Sequence, residues 1–383
     1  MSITAPQGFT AAGVAAGIKH GGGPDLALVV NNGPCNAAAG VFTSNRVTAA
    51  PVDWTRRVVS GGELTAVILN SGGANACTGP GGHADTEATA HKVSQVLGVH
   101  PDEVAVCSTG LIGVHLPMDR VLSGIDQAHA ELSPDGGRAA SIAIKTTDSV
   151  HKTAVCHQDG WTVGGMAKGA GMLAPGLATM LVVLTTDADV PAAALDEALR
   201  DAVAVTFDRI DSDGCMSTND TVLLLASGAS TIRPAYEALA AAVRTVCADL
   251  ARQLIADAEG STKEIRIDVV GAATEQDAVD VGRSIARNNL FKCAIYGEDP
   301  NWGRVLSAIG TTDARFEPHL LNIAINGVWV CKDGAAGEDR GNVDLTGRDV
   351  VITADLAAGP QRATIWTNDL SVTYVHENSA YSS

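Results

Sequence analysis

The chain has no Cys-x-x-Cys pair and no zinc-like cysteine and histidine spacing. Its eight cysteines, Cys35, Cys77, Cys107, Cys156, Cys215, Cys247, Cys293 and Cys331, are scattered singly, and they read as reduced and mostly packed residues. Positive charge is scarce: 26 Lys and Arg against 43 Asp and Glu leave a formal net charge of -17, which repels nucleic acid and anionic membrane surfaces. No basic segment opens the chain, whose first cation is Lys19, and the stretch Phe9 to Ile18 is too short and too rich in small residues for a membrane span. A cytoplasmic protein is the expectation. There is no Gly/Ser linker, no fixed-period repeat and no low-complexity tract.

What remains is an ordinary globular composition. With 383 residues, 46% hydrophobic and 18% charged, the chain can bury a large core, in more than one lobe. Its acidity reads as solvated surface, so an anionic substrate must be held by a local cation. Short apolar runs at Leu26–Val30, Ala66–Leu69, Val104–Val106, Leu181–Leu184, Val222–Leu225, Ile265–Val270 and Leu320–Ile325 predict strands. Apolar spacing of three and four predicts helices over Val190–Val203, with Pro191 where a helix can begin, and over Ala235–Leu254. Strands and helices alternate, which makes an α/β chain.

One segment concentrates the chemistry. Met180 to Asp187 reads as a buried strand, and Pro175 and Gly176 mark a turn just before it, so Thr179 sits where a loop enters a strand. A Thr in a strand is by itself ordinary. A Thr hydroxyl becomes a useful nucleophile only with a base beside it, and a chain cut just before the Thr supplies one in the new α-amine. Ser108-Thr109-Gly110, after the apolar run Val104–Cys107, is the second candidate: a hydroxyl and a neighbouring backbone N–H can aim two donors at an oxyanion, although the same tripeptide also serves as a strand-to-helix turn.

Lys168-Gly-Ala-Gly-Met-Leu-Ala-Pro-Gly-Leu-Ala-Thr-Met-Leu181 resembles the self-cleavage motif of the ornithine acetyltransferase (glutamate N-acetyltransferase) family. The likeness extends in the same order through Gly8–Ile18, Asn70–Asn75, Ser108–Gly110, Thr146–Asp148, Glu259–Lys263, Asp299–Arg304 and Asn378–Ser383. It implies an αββα-type layered sandwich of the ornithine acetyltransferase and DmpA-like class. It also implies self-cleavage at Ala178-Thr179 into chains 1–178 and 179–383, assembled as a heterotetramer with two copies of each. The resemblance makes Thr179 the nucleophile, Thr109 and Gly110 the oxyanion hole, Lys168 the partner of a substrate carboxylate and Glu259 the acceptor of the ornithine amine. Thr146, Asn378 and Ser383 complete the binding set.

The implied reaction moves acetyl from N-acetylornithine to Thr179 and then to glutamate, giving ornithine and N-acetylglutamate for arginine biosynthesis without a metal or redox cofactor. Some members also draw acetyl from acetyl-CoA, and dual activity is the expectation for this chain. The chain departs from the family pattern at Ser383, where Thr is usual, at Lys145, at His151 and at Cys215-Met216. Other chemistries match parts of the chain. A self-processing amidohydrolase or aminopeptidase would pass the acyl group to water. Ser149-Val-His-Lys152 matches the Ser-x-x-Lys pattern of penicillin-recognising enzymes but lacks a Lys-Thr-Gly partner. Gly169 to Ala174 matches a dinucleotide fingerprint, yet Pro175 and then a strand follow where a helix should start. A non-enzymatic binding protein would remain a single intact chain.

Overall fold

The computed structural model describes residues 2–174 and 180–380. In chain order the first lobe contains β1 (Phe9–Val14), β2 (Leu26–Asn31), β3 (Ala37–Phe42), α1 (Ala50–Val59), β4 (Ala66–Asn70), α2 (Gly79–Leu97), β5 (Val104–Ser108), α3 (Met118–Ala130), α4 (Gly137–Ala143), β6 (Lys152–His157), β7 (Thr162–Lys168), β8 (Leu181–Thr186), α5 (Ala192–Val205), β9 (Thr221–Ala226) and α6 (Tyr236–Ala256). The second contains β10 (Glu264–Ala272), α7 (Glu275–Ala286), α8 (Asn289–Tyr296), α9 (Trp302–Ile309), β11 (Asn322–Ile325), β12 (Val328–Lys332), β13 (Ala335–Ala336), β14 (Asp349–Asp355), β15 (Gln361–Asn368) and α10 (Val372–Ala380).

Two sheets stack in the first lobe, one ordered β1-β2-β4-β5 and the other β3-β9-β8-β7-β6. Alternation along the strands shows why both are apolar throughout. In β8, Leu181 and Val183 pack between the sheets with Val29, Val67 and Ala105, whereas Val182 and Leu184 face the outer helices α5 and α6 through Leu199 and Val246. In β2, Val29 faces inward while Leu26 and Leu28 meet α3 at Val121 and Ile125. Each sheet is thus buried on both faces, and the order helix, sheet, sheet, helix is the αββα sandwich expected from the resemblance. The second lobe is a sheet ordered β13-β12-β11-β14-β10-β15, with Ile265, Ile267, Ile352 and Ile365 buried against residues of α7, α8 and α9.

The predicted strands fall on β2, β4, β5, β8, β9 and β10, and the last on β11, which begins at Asn322 because Pro318–Leu320 forms a 3-10 turn. Leu320 is exposed there instead of buried in a strand. Both predicted helices form, with Pro191 as the N-cap of α5. The cysteines are free, but only Cys107, Cys247 and Cys331 are buried, and Cys77, Cys215 and Cys293 are exposed. Among the described residues no helix is long and apolar enough to cross a membrane.

Candidate active site

The stacked sheets end at a common edge, and the candidate residues gather there. Antiparallel pairing of β7 with β8 sets Lys168 opposite Leu181, two positions beyond Thr179. On the facing sheet β5 ends at Ser108, and the next residues turn into a cavity of about 330 Å³ lined by Thr109, Gly110, Thr146, Lys168, Glu259 and Asn378. Asn219 ties the two sheets here, donating through Nδ2 to the carbonyls of Ala74 (2.6 Å) and Ser108 (2.8 Å). Gly110 has φ of 133°, and a Cβ on it would come within 2.7 Å of the Gly73 nitrogen, so no other residue fits that turn.

Burial dominates the electrostatics. Lys168 is 1% exposed, and its Nζ donates to Thr109 Oγ1 at 3.3 Å. Because that oxygen accepts, the Thr109 hydroxyl keeps its own proton for another partner. Burial pulls the Lys168 ammonium below its ordinary range; Asp148, Asp220 and Glu259 oppose that, and Lys152 adds to it. Burial alone would raise Asp148, but Lys168, Lys152 and the Gly169 N–H hold its carboxyl at about 2. Lys152 is sealed between Asp148 and Asp257, each at 2.6 Å. With its Nζ held by two carboxylates and the Ser149 hydroxyl turned to Asp257 instead, the Ser149/Lys152 reading is removed. Among the described residues Gly169 to Ala174 hold no helix and the next element is the strand β8, so the dinucleotide reading fails as well.

Glu259 enters from the loop after α6, anchored by its backbone N–H to the Ala170 carbonyl at 2.9 Å. Gly171 makes room for it: a Cβ there would lie 2.6 Å from Glu259 Oε2. Thr146 donates its N–H to Asp148 Oδ2 at 3.0 Å, and Asn378 on α10 donates to the Tyr374 carbonyl at 3.0 Å. Lys145, one of the departures, reaches the Ser149 carbonyl at 3.1 Å. Six of the nine residues named from the sequence are therefore brought together; Ala178, Thr179 and Ser383 lie outside the described residues.

Two acids were not singled out by their spacing. Asp220 is fully buried and its Oδ1 accepts the Met180 N–H at 3.0 Å. Burial pushes its carboxyl well above the usual range, against the Met180 amide, the Ser217 hydroxyl and Lys168. Asp213 accepts the backbone N–H groups of Leu173 and Cys215, and its carboxyl is also raised by burial. The only signal in the sequence was a polar run, Ser217-Thr-Asn-Asp220, placed directly before an apolar strand.

The ArgJ family model matches residues 10–383. Over all 383 residues the chain is 71% identical to the arginine biosynthesis bifunctional protein ArgJ of Streptomyces coelicolor and 72% identical to that of Streptomyces avermitilis, covering 100% of both partners in each comparison. The chain belongs to the ArgJ family. A solved ornithine acetyltransferase from Mycobacterium tuberculosis, complexed with ornithine, is 58% identical, covering 47% of this chain and 96% of that one with a TM-score of 0.45. The family resemblance is borne out by the family model and the two Streptomyces relatives.

Proposed function

We infer that the chain is an acetyltransferase that carries acetyl from N2-acetyl-L-ornithine to L-glutamate through an acetyl-Thr intermediate, in arginine biosynthesis. The observation that carries this is the convergence of Thr109, Gly110, Thr146, Lys168, Glu259 and Asn378 on one cavity in a member of the ArgJ family. In maturation Thr179 Oγ attacks the Ala178 carbonyl, the amide becomes an ester, and water releases chains 1–178 and 179–383. The new α-amine of Thr179, with an ordinary pKa of about 7.7–8.0, then takes the proton of its own hydroxyl.

The hydroxyl attacks the acetyl carbonyl, and Thr109 and Gly110 donate to the tetrahedral oxyanion. Ornithine leaves with the proton, and its side-chain amine is held by Glu259 while Lys168 holds its carboxylate. Glutamate enters, its amine attacks the ester, and N-acetylglutamate departs from a regenerated Thr179. Thr146, Asn378 and Ser383 complete the substrate contacts. The same acyl-Thr chemistry accepts acetyl from a thioester, which makes acetyl-CoA a second donor, and none of these steps calls for a metal or redox group. The enzyme works in the cytoplasm as two copies of each chain.

Mixing the protein with N-acetylornithine alone should leave an acetyl adduct on the fragment that begins at Thr179, and adding glutamate should clear it as N-acetylglutamate. Ornithine release with neither adduct nor glutamate dependence would belong to an amidohydrolase and would overturn the transferase.

A further inference from the structure

A transferase of this kind faces a problem of charge. Its donor ends in an ammonium and its acceptor ends in a carboxylate, yet both must use one site. The side-chain nitrogen of ornithine and the side-chain oxygens of glutamate stand the same number of bonds from Cα, so the two tails have the same reach. Glu259 suits the first and repels the second.

Glu259 also lines a second, smaller cavity of about 180 Å³, together with Ser212, Asp213, Arg287, Lys292 and Tyr374. At about 30 Å³ per water this holds roughly six waters, which is ample room for a carboxylate. Lys292 on α8 is 5% exposed. Its Nζ donates to the Ser212 carbonyl at 2.6 Å and to Thr367 Oγ1 at 2.9 Å, which leaves the third proton of the ammonium without a partner among the described residues.

Each neighbouring acid already holds a partner, with only the buried Oδ1 of Asp211 left without one among the described residues. Asp213 takes the Leu173 and Cys215 N–H groups, and Asp369 takes both N–H groups and the hydroxyl offered by Thr262 and Lys263. Asp211 is paired with Arg287 at 2.7 Å. Resting on the transferase reading above, we propose that this second cavity is the acceptor's side-chain subsite, in which Lys292 receives the γ-carboxylate of glutamate. Burial brings the Lys292 ammonium down to about 8, and Asp213, Asp211 and Asp369 oppose the drop, so it remains charged at neutral pH.

The ping-pong cycle allows the two tails to be measured separately. Exchange of acetyl between N-acetylornithine and labelled ornithine uses only the ammonium-tailed ligands; full turnover uses glutamate. Lys292→Met should raise the glutamate KM by about tenfold or more beyond any change in the ornithine exchange KM, and should raise the use of glutamine relative to glutamate by a similar factor. Lys292→Arg should recover glutamate selectivity. Glu259→Gln should do the reverse of Lys292→Met and raise the ornithine exchange KM more than the glutamate KM, which serves if the methionine variant fails to fold. Equal effects of Lys292→Met on both tails, or an unchanged preference for glutamate over glutamine, would overturn the subsite. A native protein that exchanges no acetyl would instead remove the transferase reading on which it rests.

Discussion

Met180 donates its backbone N–H to Asp220 Oδ1 at 3.0 Å, inside the sandwich and one peptide past Thr179. This bond fixes the residue that follows the proposed nucleophile to the start of β9, and both partners are buried. Asp220→Ala would strand a buried N–H, at a cost of about 1–3 kcal/mol. Slower self-cleavage and a lower melting temperature should follow together, read from the intact mass over time and from thermal unfolding. Asp220→Asn keeps an acceptor for Met180 and should cleave much closer to the native rate; an asparagine variant as impaired as the alanine would show that this bond is not what matters.

Thr109 and Lys168 should separate in kinetics although they touch. Loss of one oxyanion donor costs about 10²–10³ in kcat, so Thr109→Ala should mainly lower kcat. Lys168→Ala should mainly raise the KM for N-acetylornithine, because its proposed role is to hold a carboxylate. An unaltered KM in the lysine variant would count against that role.

The sequence announced the buried strands because strands buried on both faces are apolar throughout, as in Leu181–Thr186 and Thr221–Ala226. It was quiet where small residues let backbones meet. Thr162–Lys168 carries no unbroken apolar run, because Gly164 and Gly165 interrupt it, yet it is an interior strand, and a Cβ on Gly165 would stand 2.7 Å from Leu184 Cδ2. Lys168 and Thr109 were legible through the family motif, but their contact was not, since it depends on two different sheets ending at one edge. The Lys292 cavity was illegible for a similar reason: it is assembled from residues near 213, 259, 290 and 370, none of which forms a local pattern.

Asp148 makes acid stability specific. Its folded carboxyl, at about 2, lies below its ordinary 3.8 because Lys168, Lys152 and the Gly169 N–H outweigh burial. The unfolded state therefore binds the proton more readily, and the stabilisation is present above pH 3.8 and lost as pH falls toward 2. It amounts to about 2 kcal/mol. Asp148→Asn should be less stable at neutral pH and should lose that part of the acid dependence, measured by urea unfolding at a series of pH values.

Cleavage before Thr179 should not separate the two parts. The sheet order β3-β9-β8-β7-β6 places β8 and β9, from the second part, between β3 and β7 of the first. Both parts should co-elute in native size exclusion and separate only in denaturant. Dissociation of the parts in native buffer would contradict this interleaving.

The most direct test of the acetyl-Thr mechanism is ornithine release from N-acetylornithine, with and without glutamate, recorded beside the intact mass of the same sample and of Thr179→Ala. The account predicts native protein split before Thr179, ornithine matched by N-acetylglutamate only when glutamate is present, and a variant that is both uncut and inactive. A full-length Thr179→Ala chain with normal turnover would contradict it.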